Sequence, residues 1–182
     1  MNSSLLDIGC GKSSGTCISY VGSCEHSVGI DVFRPDIFEN KKKRMHSEYI
    51  LMDIRAMGFR EKSFDTVAAF DVIEHLSKDE GLKLIEDMTK IAKSTVMIYT
   101  PNGFMSQEAK DDNKFQIHKS GWDIDIFKEM GFKVIGKRGL RYKFRPRKIL
   151  AMLEWLSVPF LELFPRFAFH LLCIKNLDNE DC

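Results

Sequence analysis

The run Leu5-Leu6-Asp7-Ile8-Gly9-Cys10-Gly11-Lys12-Ser13 constrains the fold more than any other segment. It is an apolar, strand-sized stretch that enters an acidic, glycine-rich turn. A second acid, Asp31, closes another short apolar run, Val28-Gly29-Ile30. A strand, a glycine turn, a helix and an acid at the tip of the next strand make a nucleotide-binding half-site. Glycine lets the backbone approach a ligand closely, and the carboxylate accepts hydrogen bonds from ribose hydroxyls. The turn is not the dinucleotide pattern GxGxxG, because position 14 is Ser14. Nor does Lys12-Ser13 stand at phosphate-loop spacing.

The rest of the chain alternates in the same way. Short apolar runs predict strands near Leu5–Ile8, Ser27–Ile30, Glu48–Met52, Phe64–Phe70, Thr95–Tyr99, Phe132–Gly136 and Phe167–Ile174. Helices are predicted from Ser14 to Val21, Pro35 to Lys43, Lys78 to Ala92 and Trp122 to Met130. In the third helix Leu82, Ile85, Met88, Ile91 and Ala92 recur at helical spacing with charges between them. Gly131 after Met130 reads as a helix C-cap leading into the sixth strand. Strands alternating with helices imply an α/β domain with a mainly parallel sheet and helices on both faces. A length of 182 residues suits a single domain, 1–182.

A net charge of +1 argues against a surface built for nucleic acid, which is therefore not the expected partner. The five cysteines, Cys10, Cys17, Cys24, Cys173 and Cys182, form no CxxC pair. An odd count with no basic leader in Met1-Asn2-Ser3-Ser4 fits reduced thiols and a cytoplasmic protein.

Five segments in order resemble the class I S-adenosylmethionine-dependent methyltransferases of the small type-11 group. Asp7-Ile8-Gly9-Cys10-Gly11 is similar to the first motif, and Val28-Gly29-Ile30-Asp31 to the segment bearing the ribose-binding acid. Leu51-Met52-Asp53-Ile54 resembles the adenine-contacting segment. The stretch Ser63 to Leu76, with Phe70-Asp71-Val72-Ile73-Glu74-His75, looks like the fourth-strand motif, and Val96 to Gly103 like the fifth strand and its loop. The resemblance implies a Rossmann-like, seven-stranded sheet with an antiparallel last strand. It implies S-adenosylmethionine as cofactor, held by Asp7, Gly9, Cys10, Gly11, Asp31, Val32, Asp53, Ile54, Phe70 and Asp71. Gly9 and Gly11 also suit a plain tight turn, Asp31 a strand-end turn, and Asp53 a cap on the turn that follows. Asp65 is expected to order the start of its strand.

Methyl transfer from a sulfonium needs alignment of donor and acceptor, so no triad is required. A base is needed only where the acceptor loses a proton. His118, in the long loop after the fifth strand, and His75, at the start of the helix after the fourth, are the candidates, since imidazole titrates near neutrality. For His75 the competing role is structural capping. A metal is not expected. The alternative is that Asp71, Glu74 and His75, at i, i+3 and i+4, with His118 as a fourth ligand, resemble the metal-dependent small-RNA 2′-O-methyltransferases and some quinone-biosynthesis O-methyltransferases.

The second half carries an insert at about 137–165. It begins with seven basic residues and no acid between Lys137 and Lys148, interleaved with Leu140, Tyr142 and Phe144. An apolar stretch from Ile149 to Phe164 follows, too short and too broken by Glu154, Pro159 and Glu162 to span a bilayer. The favoured reading is that it packs over the sheet edge or covers the site. The alternative is peripheral contact with a membrane, at its inner face, through 137–164. Lys41-Lys42-Lys43-Arg44 reads as the solvated end of a helix. Members of the resembled group usually carry a helix or two before the first strand, whereas here the strand begins almost at Met1. The expectation is a truncated chain, or a cover supplied by the insert or by a second subunit in a homodimer. The acceptor expected is a small molecule or a lipid- or glycan-linked intermediate. The competing class is a non-catalytic binding protein that kept the fold and partners another enzyme.

Overall fold

Along β1 (Ser4–Ile8) the side chains alternate between the two faces of a sheet, and both faces are buried. Leu6 and Ile8 join one apolar cluster, and Leu5 joins another with Ala68, Phe70, Met97 and Tyr99. A strand covered on both sides is what a parallel sheet between helices requires. The computed structural model describes residues 3–12, 24–109, 112–140 and 160–177. After β1 the described elements are β2 (His26–Asp31), α1 (Arg34–Lys43), β3 (Glu48–Leu51), β4 (Phe64–Phe70), α2 (Lys78–Ile91), β5 (Ala92–Pro101), α3 (Ile124–Glu129), β6 (Lys133–Leu140) and β7 (Ala168–Asn176).

The seven strands lie in the order β3-β2-β1-β4-β5-β7-β6. The first five are parallel, and β7 runs antiparallel between β5 and β6. The expected sheet, antiparallel last strand included, is the one observed. The order reverses between β1 and β4, and open α/β sheets bind ligands at the strand ends beside such a switch.

Local chemistry explains the helices. Pro35 starts α1, and α1 ends where Arg44 turns left-handed, with three lysines in its last turn exposed to solvent. Ser77 and Glu80 form a reciprocal capping box at the start of α2. The buried residues of α2, including Leu84, Ile85, Met88 and Ile91, line the larger apolar cluster. Asp65 accepts from the backbone N–H and the hydroxyl of Ser4, at 2.8 and 2.6 Å, and so clips the start of β4 to β1.

Several element boundaries differ from the sequence reading: β6 runs on to Leu140 rather than ending at Gly136, and β7 to Asn176 rather than Ile174. α2 passes directly into β5 at Ala92, and the strand extends to Pro101. α3 begins at Ile124 because Asp123 accepts from the N–H of Ile126 at 3.1 Å and caps the helix there. Trp122 is instead fully buried and bridges to Asn102 and Gly103 beside β5. The helix expected at Ser14–Val21 and most of the insert, 141–159, lie outside the described residues. The described end of the insert packs on β6. Leu161 is buried, and a Cβ on Gly136 would come within 2.4 Å of the Leu161 carbonyl. Lys137 pairs with Glu162 at 2.8 Å. Among the described residues no helix is long and apolar enough to cross a membrane, and Cys10 and Cys173 are free thiols.

Candidate active site

The turn after β1 is shaped by two glycines with positive φ, Gly9 at +68° and Gly11 at +48°. Only glycine adopts this region freely. At Gly9 space also decides, since a Cβ would lie 2.4 Å from Val72 Cγ2. The Cys10 N–H donates to the Ile30 carbonyl at 2.9 Å, which ties the turn to β2. The Cys10 thiol is buried, and burial pushes its pKa far above the usual thiol range, so it is inert.

Asp31 sits at the tip of β2, half-buried. One carboxylate oxygen accepts from the Gly11 N–H at 2.9 Å, the other from the Phe33 N–H at 2.7 Å. Burial raises its pKa while these amides pull it back. Each oxygen retains accepting capacity after one bond. Asp53 follows β3 and lies against Arg55, which donates from its backbone N–H and its guanidinium. Those bonds hold the Asp53 carboxyl below the ordinary carboxylate range.

At the end of β4 the chain turns through Asp71, whose φ is +53°. Aspartate is one of the few side chains that tolerates this conformation. Its N–H donates to the Tyr99 carbonyl at 2.8 Å, and His170 Nε2 stands 3.5 Å from its carboxylate. Glu74 is buried, with its Oε2 accepting from the Thr100 hydroxyl at 3.0 Å. Burial first, and the Asp71 charge second, push the Glu74 carboxyl up to about 8. His75 and His118 pack edge to face, ring centres 4.8 Å apart. Each places Nδ1 against a backbone carbonyl, Ile117 at 3.2 Å and Met105 at 2.7 Å respectively. A carbonyl only accepts, so Nδ1 carries the proton, and in the neutral form of each ring Nε2 keeps a lone pair. Burial depresses His75 to about 4.

An open cleft of about 710 Å³, solvent at its mouth included, runs past the glycine turn, Asp31, Asp71 and His75. Of the residues expected from sequence, Gly9, Gly11, Asp31, Val32, Asp53, Ile54, Asp71 and His75 line it. Asp7, Cys10 and Phe70 lie behind its wall. The Asp7 carboxylate is 3.1 Å from His46 Nε2, and Phe70 belongs to the core cluster under the sheet. His118 stands beside the lining through its ring contact with His75. The cleft also takes Val72 and Leu76 from the fourth-strand motif, and Arg55, Asn113, Phe115, Gln116 and Lys119, which no sequence motif marked. Asn113 begins a short 3-10 turn, its side chain accepting from the Phe115 N–H. An Asn two residues before an aromatic is a local turn signal at that wall.

A sheet of this order, with a glycine turn and an acid-tipped second strand at the switch point, defines a Rossmann-like domain for a nucleoside-bearing ligand. Residues 6–104 match the methyltransferase domain family of type 11, and the chain belongs to that family, within class I of the S-adenosylmethionine-dependent methyltransferases. No curated protein sequence matches the chain significantly. Among solved structures it is similar to an S-adenosylmethionine-dependent methyltransferase from Archaeoglobus fulgidus, with 18% identity and a TM-score of 0.63 over 96% of this chain and 86% of the other. A second neighbour is the complex of the Haloferax volcanii Trm112 methyltransferase activator with its candidate methyltransferase, at 14% identity, TM-score 0.59, and 95% and 81% coverage. A third is magnesium protoporphyrin IX methyltransferase from Synechocystis PCC 6803 with bound S-adenosylmethionine, at 16% identity, TM-score 0.53, and 94% and 69% coverage. The cofactor of this domain is S-adenosylmethionine. The residues present fit it: the glycine turn borders the cleft, and a carboxylate with free accepting capacity stands at the tip of β2.

Proposed function

We propose that this chain is an S-adenosylmethionine-dependent methyltransferase whose acceptor enters beside His75 and His118. The observation that carries this reading is the continuous cleft from Asp31, past Asp71, to His75 and Lys119. Gly9, Gly11, Asp31, Val32, Asp53 and Ile54 would hold the adenosyl part, with Asp31 taking the ribose hydroxyls. Asp7, Cys10 and Phe70 support that wall from behind, and Asp71 stands toward the methionine end. When bound, the cofactor supplies a methyl group already activated by its sulfonium, so the chain has only to align the acceptor. His75, depressed to about 4, is neutral at physiological pH and a weak base. It orients the acceptor through Nε2, and His118 accepts the proton of an acceptor hydroxyl. The acceptor is a small molecule or a lipid- or glycan-linked intermediate. The insert at 137–165, or a second copy of the chain, would cover the cleft mouth.

Calorimetric titration with S-adenosylhomocysteine, beside Asp31→Ala, tests the cofactor site. Micromolar binding lost in the variant supports the reading. A folded chain that does not bind leaves the competing one, a non-catalytic partner of another enzyme. With the acceptor in hand, His118→Ala should lower turnover on the order of 10²-fold or more, and unchanged turnover removes His118 from the chemistry.

One observation favours a second reading, metal-assisted O-methylation of the kind used on RNA 2′-hydroxyls. Glu74, His75 and His118 offer ligand atoms all within 4.8 Å of one another, and Nδ1 anchoring on carbonyls is the support that metal-bound histidines receive. Asp71 stands outside that trio. Dose-dependent stimulation of the chelated protein by a divalent metal supports this reading, and indifference to metal disposes of it.

A further inference from the structure

Asn40 lies in the last half of α1 with no exposed surface. An amide buried on a helix costs stability unless hydrogen bonds offset the lost water. Its Nδ2 donates to the carbonyl of Cys10 at 3.1 Å and to the carbonyl of Gly11. Almost one turn further along the helix, Lys43 Nζ donates to the Lys12 carbonyl at 3.0 Å. Three successive carbonyls of the glycine turn are therefore held by one helix. The other end of the carboxamide does nothing comparable, because Asn40 Oδ1 has no hydrogen-bond partner among the described residues. The donor end is what the buried amide contributes.

The helix position that carries Asn40 is itself tied to β1. The Asn40 backbone carbonyl accepts from the Tyr49 hydroxyl at 2.9 Å, and that hydroxyl accepts from the His46 N–H at 2.8 Å. The His46 ring reaches Asp7 Oδ2 at 3.1 Å, passing over Gly29, where a Cβ would lie 2.6 Å from the imidazole. The polar path thus runs from Asp7 through His46 and Tyr49 to Asn40 and back to the turn that follows Asp7.

We infer that Asn40 is a positioning residue for the cofactor: by holding the Cys10 and Gly11 carbonyls it fixes the glycine turn in the shape presented to the cleft. The inference rests on the reading that this cleft holds S-adenosylmethionine. Gly9 and Gly11 give the turn wide backbone freedom, so an unbraced turn spends binding energy on being ordered. Held by Asn40, it is ordered before the ligand arrives.

The test is titration with S-adenosylhomocysteine of wild type, Asn40→Leu, Asn40→Ser and Asn40→Ala, with the Tm of each ligand-free protein. Leucine fills the site but cannot donate, whereas serine leaves a void and keeps a donor. A packing role ranks leucine above serine, and a donor role ranks serine above leucine. The expected result is a loss of affinity of about tenfold or more for leucine and a smaller loss for serine. Amide exchange at Gly11 and Lys12 should accelerate in the leucine variant. Leucine binding as well as wild type, or better than serine, overturns the inference while leaving the cofactor reading intact. If Asn40→Leu does not fold, Ser and Ala decide, being close in volume: serine must bind more tightly, and equal affinities overturn the inference. A folded wild type that binds no S-adenosylhomocysteine brings down the cofactor reading and this inference with it.

Discussion

The two ends of the cleft are held by different means. At the cofactor end, side chains grip backbone: Asp31 takes the Gly11 amide, and Asn40 and Lys43 take the carbonyls of the turn. At the acceptor end the side chains of His75, His118 and Asn113 also take backbone groups, but main-chain bonds between distant segments join the wall as well. The amides of Lys119 and Ser120 both donate to the Glu74 carbonyl, at 2.8 and 3.1 Å, and the Gly103 N–H donates to the Trp122 carbonyl. Trp122 anchors this wall, with its indole N–H on Ser120 and Lys78 Nζ lying 3.6 Å above its ring. A site gripped by side chains advertises itself in residue types. A site built from main-chain contacts between distant segments does not.

Substitutions at two glycines separate the ends most sharply. Gly9→Ala combines a left-handed φ with the 2.4 Å clash on Val72. It should abolish S-adenosylhomocysteine binding and cost roughly 1–3 kcal/mol or more of stability, measured by calorimetry and denaturant unfolding. Gly121→Ala would bring a Cβ within 2.5 Å of the Phe104 N atom and push the acceptor loop outward. It should leave cofactor affinity within about threefold while lowering turnover on the order of tenfold. Equal damage to both properties by either variant would erase the distinction between the ends.

A pH comparison is next in size. Glu74 titrates at about 8 in the fold against an ordinary 4.5, so the folded state holds its proton where the unfolded state has lost it. Its stabilising contribution is complete below about 4.5 and is lost as pH rises through about 8. His75, depressed to about 4 from 6.5, behaves oppositely: its contribution is complete above 6.5 and is lost as pH falls through about 4. Between pH 6.5 and 8 the Glu74 effect acts without that of His75. Unfolding free energy should therefore fall across that window in wild type and stay flatter in Glu74→Gln, which mimics the protonated acid. Parallel curves would show that Glu74 is not held protonated.

The smallest effect is expected at Asp53. Its partner Arg55 is exposed, and exposed ion pairs contribute about 0–1 kcal/mol. Asp53→Ala should weaken S-adenosylhomocysteine only a few fold and leave the Tm nearly unchanged. A loss as large as that of Asp31→Ala would move Asp53 to the centre of the cofactor end.

The strands, the glycine turn and the acids at the strand tips were legible because each depends on local pattern: apolar runs, positive φ at Gly9 and Gly11, and an acid where a parallel strand ends. Asn40 was not. In the run Glu39-Asn40-Lys41 it reads as one more polar residue on a solvated helix, and only the packing of α1 against the turn after β1 buries it. Ala92 gave no sign that α2 would become β5 without a connecting turn. Trp122 read as the first residue of a helix, until its bridges to Asn102 and Gly103 and its burial against Gly81 placed it in the core. Lys119 and Gln116 sit in a segment with neither helical nor strand period, so nothing in their spacing pointed to the cleft.

By itself the sequence determined the strands and the nucleotide half-site, because strand periodicity and glycine conformation act over a few residues; the seven-stranded sheet and the cofactor were what the family resemblance implied. Only the tertiary structure decided which polar groups face the ligand, which brace it from behind, and that His75 and His118 meet. Those outcomes depend on contacts between residues about 30 to 45 positions apart, and whether a polar side chain is buried is set by the surface that lands on it.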